Sequence, residues 1–501
     1  MFVKRPTKTM EEDYIRLIFG LKLKQIRTEH ELSLAALAKL TGLSKSYLNE
    51  IENGKKYPKP DKIVLLSQKL SVPYDQLVSL KLDKSLAPVG NVLQSKILKE
   101  IPLDLFGVQE ADLISIVAKS PNKVNTFIST LQRIAEKYNF KQKDFYAASL
   151  RSYQEENFNY FEANENAVND FVQTHQLDLT HFNHANILEN ILRDKLGYTL
   201  VEEQYDFSNK LQGIGAVFVP SSSTLVLSHK LSEAQRNFIF AKELAYSFLH
   251  IKDRILVHPS IEDNNFDHVL KDFKASYFAG ALIIPSTKIK QQLNQLFAHE
   301  SFDAMLFNDI INSFNASPEV FYQRLTSILP REFGIKELFF LGLSHQPGTE
   351  TFTVTKELHF GQQQTPRSYA ANENYCGRWV ARKVLENLER SNAQHEFDLQ
   401  ISDFSEDDKT YLVISSATKE PFKDGFNAGF SIGLLINNQL KKKLNFLDDP
   451  KIRKQSVGLS CERCSIELCN ERRAVPTWLN SIEINQERKR LVAYIHNKYK
   501  G

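Results

Sequence analysis

The chain has 501 residues, 42% of them hydrophobic and 25% charged, which is long enough for several domains with cores of their own. No stretch approaches the roughly 20 apolar residues of a membrane span, and no leader-type segment opens the chain, so a cytoplasmic protein with no membrane contact is expected. The net charge is only +3, yet residues 1–62 carry 13 Lys and Arg against 8 Asp and Glu, which sets a basic module on a near-neutral body and points to phosphate binding at that end.

Residues 13–80 read as short helices. Tyr14, Leu17, Ile18, Leu21, Leu23 and Ile26 follow helical spacing. Ser33 is suited to cap a second helix, and Gly42 to end it in a tight turn. Ser44 would cap a third helix carrying Tyr47, Leu48 and Ile51, with Asn53-Gly54 as its stop. Two short helices across a Gly-containing turn are a helix-turn-helix. Leu32-Ser33, Leu37-Ala38, Gly42-Leu43-Ser44, Tyr47-Leu48, Ile51-Glu52, Gly54 and Pro58 together resemble the XRE/Cro/C1-type helix-turn-helix family. The resemblance implies that the second helix of the motif enters the major groove of double-stranded DNA. Lys45, Ser46, Tyr47 and Asn49 would then face base edges or nearby phosphates, with Ser44, Lys55 and Lys56 holding phosphates. The alternative is a small helical domain used for protein contacts.

Residues 81–100 read as a connector, broken by Pro88 and Gly90. Helical spacing returns from Ile101 to about His175, with Leu113, Ile116, Phe127, Leu131 and Ile134, and Tyr153 to Phe171 reads as a mostly polar helix. Residues 81–178 are therefore expected to be a helical linker or dimerisation region.

Ile214–Val219 and Thr224–Leu227 are rich in β-formers and joined by Pro220 and three serines, a hairpin pattern. Ser232 with Gln235 is a capping box for a helix reaching His250, and a second helix runs from Asp272 to Pro285. This order of elements resembles the ImmA/IrrE-type zinc peptidase fold. That family carries His-Glu-x-x-His on the first helix. The corresponding run here is Lys242-Glu243-Leu244-Ala245-Tyr246, so both histidines are replaced, and Asp272 stands where the family's acidic ligand would be. Two carboxylates, an ammonium and a phenol do not make a usual zinc site. No catalytic residue is assigned, and Glu243 reads as an ordinary carboxylate paired with Lys242 or a helical neighbour.

From Lys336 strands return: Leu338–Leu343, Thr351–Thr355, Phe397–Ile401 and Thr410–Ser415, with a helix over Gly377–Leu388. Phe426–Ile436 suits a central strand or a tightly packed helix. Gly425, Gly429 and Gly433 recur every fourth residue, which indicates close packing, because no lysine or serine follows as in a phosphate loop.

Three of the four cysteines, Cys461, Cys464 and Cys469, fall within nine residues, and the fourth is Cys376. A chain that otherwise avoids cysteine and then clusters it uses thiolate as a soft ligand for zinc or an iron–sulfur cluster. Paired Cys-x2-Cys knuckles are typical of zinc. A Cys-x2-Cys-x4-Cys run plus one remote cysteine favours a [4Fe-4S] cluster, with zinc as the alternative.

Taken in order, the basic helix-turn-helix, the zincin-like middle without its histidines, and the cysteine run closing on Arg472-Arg473-Ala474 and Pro476 resemble the short-chain fatty acyl transcriptional regulators. The resemblance implies a DNA operator and a short-chain acyl-CoA effector, in propionate- or acetate-type metabolism. It also implies a cluster held by Cys461, Cys464, Cys469 and, through the Cys-x-x-Trp element with Trp379, by Cys376. Asn470 stands where members of the family often have proline. The expected architecture is multidomain: an all-α helix-turn-helix at 1–80, the linker at 81–178, an α+β peptidase-like domain at 179–330, and an α+β sensor domain with the cysteine cluster at 331–501. A homodimer on a pseudo-palindromic site is expected. The competing readings are a metallopeptidase that cleaves a partner repressor, which the missing histidines disfavour, and an antitoxin-like protein, which the cysteine domain disfavours.

Overall fold

The computed structural model describes residues 8–79, 142–179, 184–204, 213–259, 265–361, 373–391, 393–404, 408–420 and 423–499. The chain divides into two compact units, residues 1–145 and 146–501. The connector at 81–100 and the helical spacing up to Ile134 lie outside the described residues.

The first unit holds α1 (Lys8–Glu29), α2 (Leu34–Thr41), α3 (Lys45–Glu52), α4 (Pro60–Leu70) and α5 (Tyr74–Val78). Ser33 caps α2 through Ala36 N and Ser44 caps α3 through Tyr47 N, each at 3.1 Å. Gly42 ends α2 at φ 73°, a left-handed conformation that costs glycine little. Phe19, Leu23, Leu37, Leu48, Ile51, Ile63 and Leu66 close one small core. Arg27 holds α3 from α1, donating to Glu52 at 2.6 and 3.0 Å and to the carbonyl of Leu32 at 2.6 Å.

The division falls within α6 (Gln142–Glu156), and the second unit continues with α7 (Glu162–Thr174) and α8 (His184–Asn190). The single helix expected over Tyr153–Phe171 is thus two helices. Phe158 and Asn159 turn the chain at φ 49° and 47°, without a glycine or proline to announce the break. A four-stranded sheet follows, in the order β1 (Thr199–Glu203), β3 (Thr224–Ser228), β2 (Ala216–Val219), β4 (Val257–His258). The expected hairpin is β2–β3, antiparallel with Ala216 opposite Leu227, while β1 runs parallel to β3. Next come α9 (Glu233–Phe248), α10 (Phe266–Ile283), α11 (Ser286–Ala298), α12 (Ala304–Asn312) and α13 (Pro318–Phe333). Both halves of the Ser232–Gln235 capping box are made. α10 starts six residues before the expected Asp272, with the side chain of Asn265 as its cap.

The second sheet has six strands, in the order β10 (Arg453–Val457), β7 (His395–Phe404), β8 (Lys409–Lys419), β9 (Asn427–Leu435), β5 (Leu338–His345), β6 (Phe352–Phe360). Every pairing is antiparallel except β10 with β7. Phe426–Ile436 is therefore a central strand. A Cβ on Gly433 would lie 2.1 Å from the Phe339 ring and one on Gly429 3.1 Å from Leu385, so these glycines serve close packing. Leu385 belongs to α14 (Val380–Ser391), which covers one face of the sheet together with Trp379, Val384 and Leu388. The other face shares one continuous core with α7–α13, from Phe171 and Phe278 through Tyr322 to Phe340, Ile414 and Ile432. A final helix, α15 (Thr477–Lys498), buries no residue. No helix among the described residues is long and apolar enough to cross a membrane.

Candidate functional site

α3 presents Lys45, Ser46 and Asn49 to solvent, with Tyr47 half-buried and Lys55 and Lys56 exposed just beyond its end. The hydroxyl of Ser44 is engaged as the cap. Asn53 fixes the Asn49 side chain by donating to its Oδ1 at 3.0 Å. Lys56 sits 5.3 Å from the Tyr47 ring centroid and 3.5 Å from Glu50. The polar edge of a short, capped helix thus stands free above a closed core, the geometry with which a helix-turn-helix enters a groove.

Around α9 and α10 the charged residues come together, with partners other than those the sequence suggested. Glu243 does not pair with Lys242. Its carboxylate, fully buried, accepts from Nη1 and Nη2 of Arg254 at 2.7 and 2.6 Å, from the Nε2 of His258 at 2.8 Å, and from the Tyr198 hydroxyl at 3.1 Å. Burial alone would raise the Glu243 carboxyl, but His258 and Arg254 outweigh it and hold the group down to about 2. Lys242 instead lies 2.7 Å from Asp272, which also accepts from the Tyr246 hydroxyl at 2.7 Å. Arg254 packs between the rings of Tyr246 and Phe218, at 4.2 and 4.4 Å. Both carboxylates that a metallopeptidase would turn toward zinc are closed by side-chain cations. No local pattern marks Arg254 or His258, which lie 11 and 15 residues past Glu243.

The cysteine run is delivered by β10. The chain leaves that edge strand at Val457 and folds back along residues 373–379. Tyr375 bridges Ser460, Cys376 N donates to Leu459 O at 3.4 Å, and Cys461 N donates to Asn374 O at 2.8 Å. Arg463 doubles the tie with a bidentate pair to Glu373, at 2.6–2.9 Å. Glu373 also accepts from Ser460 at 2.7 Å. Gly377 lies so close to the tail that a Cβ there would stand 2.7 Å from the carbonyl oxygen of Glu471.

Cys376, Cys461 and Cys464 are buried, Cys469 is half-buried, and none is in a disulfide. Burial, with the neighbouring Cys464 and Cys461, pushes the Cys376 thiol up to about 11, against donation from the Arg378 and Gly458 N–H groups. Among the described residues no group of three or more Cys, His, Asp or Glu is drawn to metal-ligating distance. The donor chemistry nevertheless fits a soft metal or cluster: three unbridged sulfurs gathered by main-chain ties, a fourth in the same loop, and a backbone N–H (Arg473) donating to the Cys461 sulfur at 3.3 Å. Arg472, which sequence reasoning left unassigned, spans the loop and donates to the carbonyls of Cys461 at 3.0 Å, Cys464 at 3.3 Å and Ile466.

The two units thus present a helix-turn-helix with an open recognition edge and, separately, a peptidase-like scaffold sealed by ion pairs and continued into a cysteine-bearing sheet. That is the class of a multidomain transcriptional regulator rather than a peptidase. Family models agree in the same order: "Helix-turn-helix" over residues 23–77, "IrrE N-terminal-like domain" over 201–326, and "Short-chain fatty acyl coenzyme A regulator, C-terminal" over 360–494. In this domain order, and over its C-terminal 360–494, the chain is similar to the short-chain fatty acyl regulators. It is 22% identical over 493 residues to the HTH-type transcriptional regulator PrpR of Mycobacterium tuberculosis, covering 92% of each chain. It is also 22% identical over 505 residues to the propionyl-CoA carboxylase regulator of Cereibacter sphaeroides, covering 96% of this chain and 98% of that one. Residues of the N-terminal module are 39% identical over 61 positions to the HTH-type transcriptional repressor RghR of Bacillus subtilis, 12% of this chain and 45% of that protein.

Proposed function

We propose that this regulator controls genes of propionyl-CoA-related metabolism, binding operator DNA through α3 and responding to a short-chain acyl-CoA through the cysteine-bearing second unit. The observation that carries the DNA reading is the exposed edge of Lys45, Ser46 and Asn49 on a helix capped at both ends. Those residues, with Tyr47, meet base edges, while Ser44, Lys55 and Lys56 contact phosphate. The working form is a homodimer on half-sites one helical turn apart, since one such module covers little DNA. Selection of bound duplexes from a random library, then footprinting, tests this. Lys45→Ala with Asn49→Ala abolishes the specific footprint while the circular dichroism spectrum is unchanged. A footprint equal to wild type contradicts the assignment.

Cys376, Cys461, Cys464 and Cys469 hold a [4Fe-4S] cluster whose chemistry, when bound, is that of an iron–sulfur centre. What the chain itself supplies is the main-chain pairing of Tyr375 with Ser460 and the Arg472 clamp, which hold the two cysteine-bearing segments side by side. The segment 458–476 has few large apolar residues, so ligation would supply order that packing does not. Metal analysis of anaerobically purified protein tests the group. Iron with acid-labile sulfide supports it, and stoichiometric zinc replaces it with a zinc-stabilised tail.

A further inference from the structure

Among the described residues, α15 carries a run of large apolar side chains left uncovered. Every residue from Glu483 to Tyr499 is exposed, and Ile484, Leu491, Val492, Ile495 and Tyr499 range from 46% (Ile495) to 76% (Tyr499). Among the described residues, the start of the helix is what is tied down, by Trp478 N donating to Glu462 O at 3.1 Å and by Arg463 against the Trp478 ring. A helix of this length without tertiary contacts is marginal in water. At about 100° per residue the five side chains fall within roughly a third of the helix circumference, with Arg488 as the one charge inside the stripe.

We infer that this stripe is a self-association surface, occupied by α15 of a second copy of the chain in antiparallel orientation. The charges select this occupant. Nucleic acid would call for a uniformly basic face, whereas Glu483 and Glu487 share this helix with Arg488, Lys489 and Arg490. A parallel pair would set Arg488 against Arg488. An antiparallel pair, with its two-fold axis between Leu491 and Val492, sets Arg488 beside Ile495 and Ile484 beside Tyr499, twice over. Glu487 and Lys498 flank the stripe on the same side, eleven residues apart. Each therefore meets the other's counterpart across the axis, so the surface is self-complementary, as an isologous contact requires. The inference rests on the dimer proposed above and assigns its surface.

The test is sedimentation of the full chain over a concentration series. Wild type is expected to sediment as a dimer, and Ile484→Glu with Leu491→Glu at half that mass, with no more far-ultraviolet helical signal lost than the 22 residues of α15 supply. Glu487→Lys alone weakens the dimer roughly tenfold, two exposed ion pairs being lost, and Glu487→Lys with Lys498→Glu restores it. A dimer that survives Ile484→Glu with Leu491→Glu overturns the surface and leaves dimerisation standing. A monomeric wild type overturns both, and vesicle or duplex binding lost in the helix variants would then name the stripe's true occupant. Failure of the charge swap to restore association overturns the antiparallel register.

Discussion

The indole Nε1 of Trp379 donates to the carbonyl oxygen of Gly458 at 2.8 Å, inside the core face covered by α14. This bond ties the start of α14 to the first residue after β10, three residues before Cys461. The Cys-x-x-Trp pattern thereby has a mechanical reading: Cys376 and Trp379 reach the tail from one turn, the sulfur toward the cysteines and the indole toward the backbone that carries them.

Trp379→Phe keeps the ring and removes the donor. It leaves a buried carbonyl unpaired, at a cost of about 1–3 kcal/mol. Urea unfolding is expected to shift by that amount, and Cys376 to react faster with a thiol reagent. An unchanged reaction rate would mean that the bond does not hold the tail.

Glu243→Gln should be strongly destabilising, although a carboxylate in a vacated peptidase site could be taken for dispensable. The change strands the Arg254 guanidinium in the core, at a cost of about 3–5 kcal/mol. Adding Arg254→Met should recover part of the loss, since the two positions are coupled. Strictly additive losses in a double-mutant cycle would contradict the network.

Acid stability follows from the same residues. Burial depresses His258, so the native state keeps it neutral where the unfolded chain, at 6.5, begins to take up a proton. Glu243 is held at about 2 against 4.5 unfolded. Both shifts make the unfolded state bind more protons. Stability is therefore expected to fall as pH drops below about 6.5 and more steeply below about 4.5, with His258→Gln flattening the upper part of the curve. Equilibrium unfolding across that range checks it, and identical curves for wild type and His258→Gln would refute it.

Gly20→Ala probes the first unit. The added Cβ would stand 2.1 Å from the carbonyl oxygen of Ile51, so α1 and α3 must separate. Overpacking of this kind costs about 1–3 kcal/mol or more. DNA binding should be lost together with helical signal at moderate temperature, and a wild-type melting curve would contradict the packing.

What the sequence disclosed was local. The caps Ser33, Ser44 and Ser232, the Gly42 turn and the β2–β3 hairpin are written within a few residues each, and they occur as read. What it concealed depends on distant partners. Nothing near Gly20 announces α3. β10 is a short, polar edge strand (Arg453, Lys454, Gln455, Ser456, Val457) without alternation, recognisable only beside β7. The expected start of α14 at Gly377 moves to Val380, because Cys376–Trp379 form a turn directed at the tail. The residues that seal the peptidase-like site, Arg254 and His258, lie in and after a loop whose course no periodicity reveals.

The most direct test of the account is operator affinity measured with and without propionyl-CoA for wild type and Cys376→Ser. The effector is expected to change wild-type affinity, and the variant to keep the effector-free affinity but no longer respond, because the proposed cluster loses the ligand that joins the tail to the start of α14. A wild type indifferent to the acyl-CoA, or a Cys376→Ser variant that responds as wild type does, would contradict it.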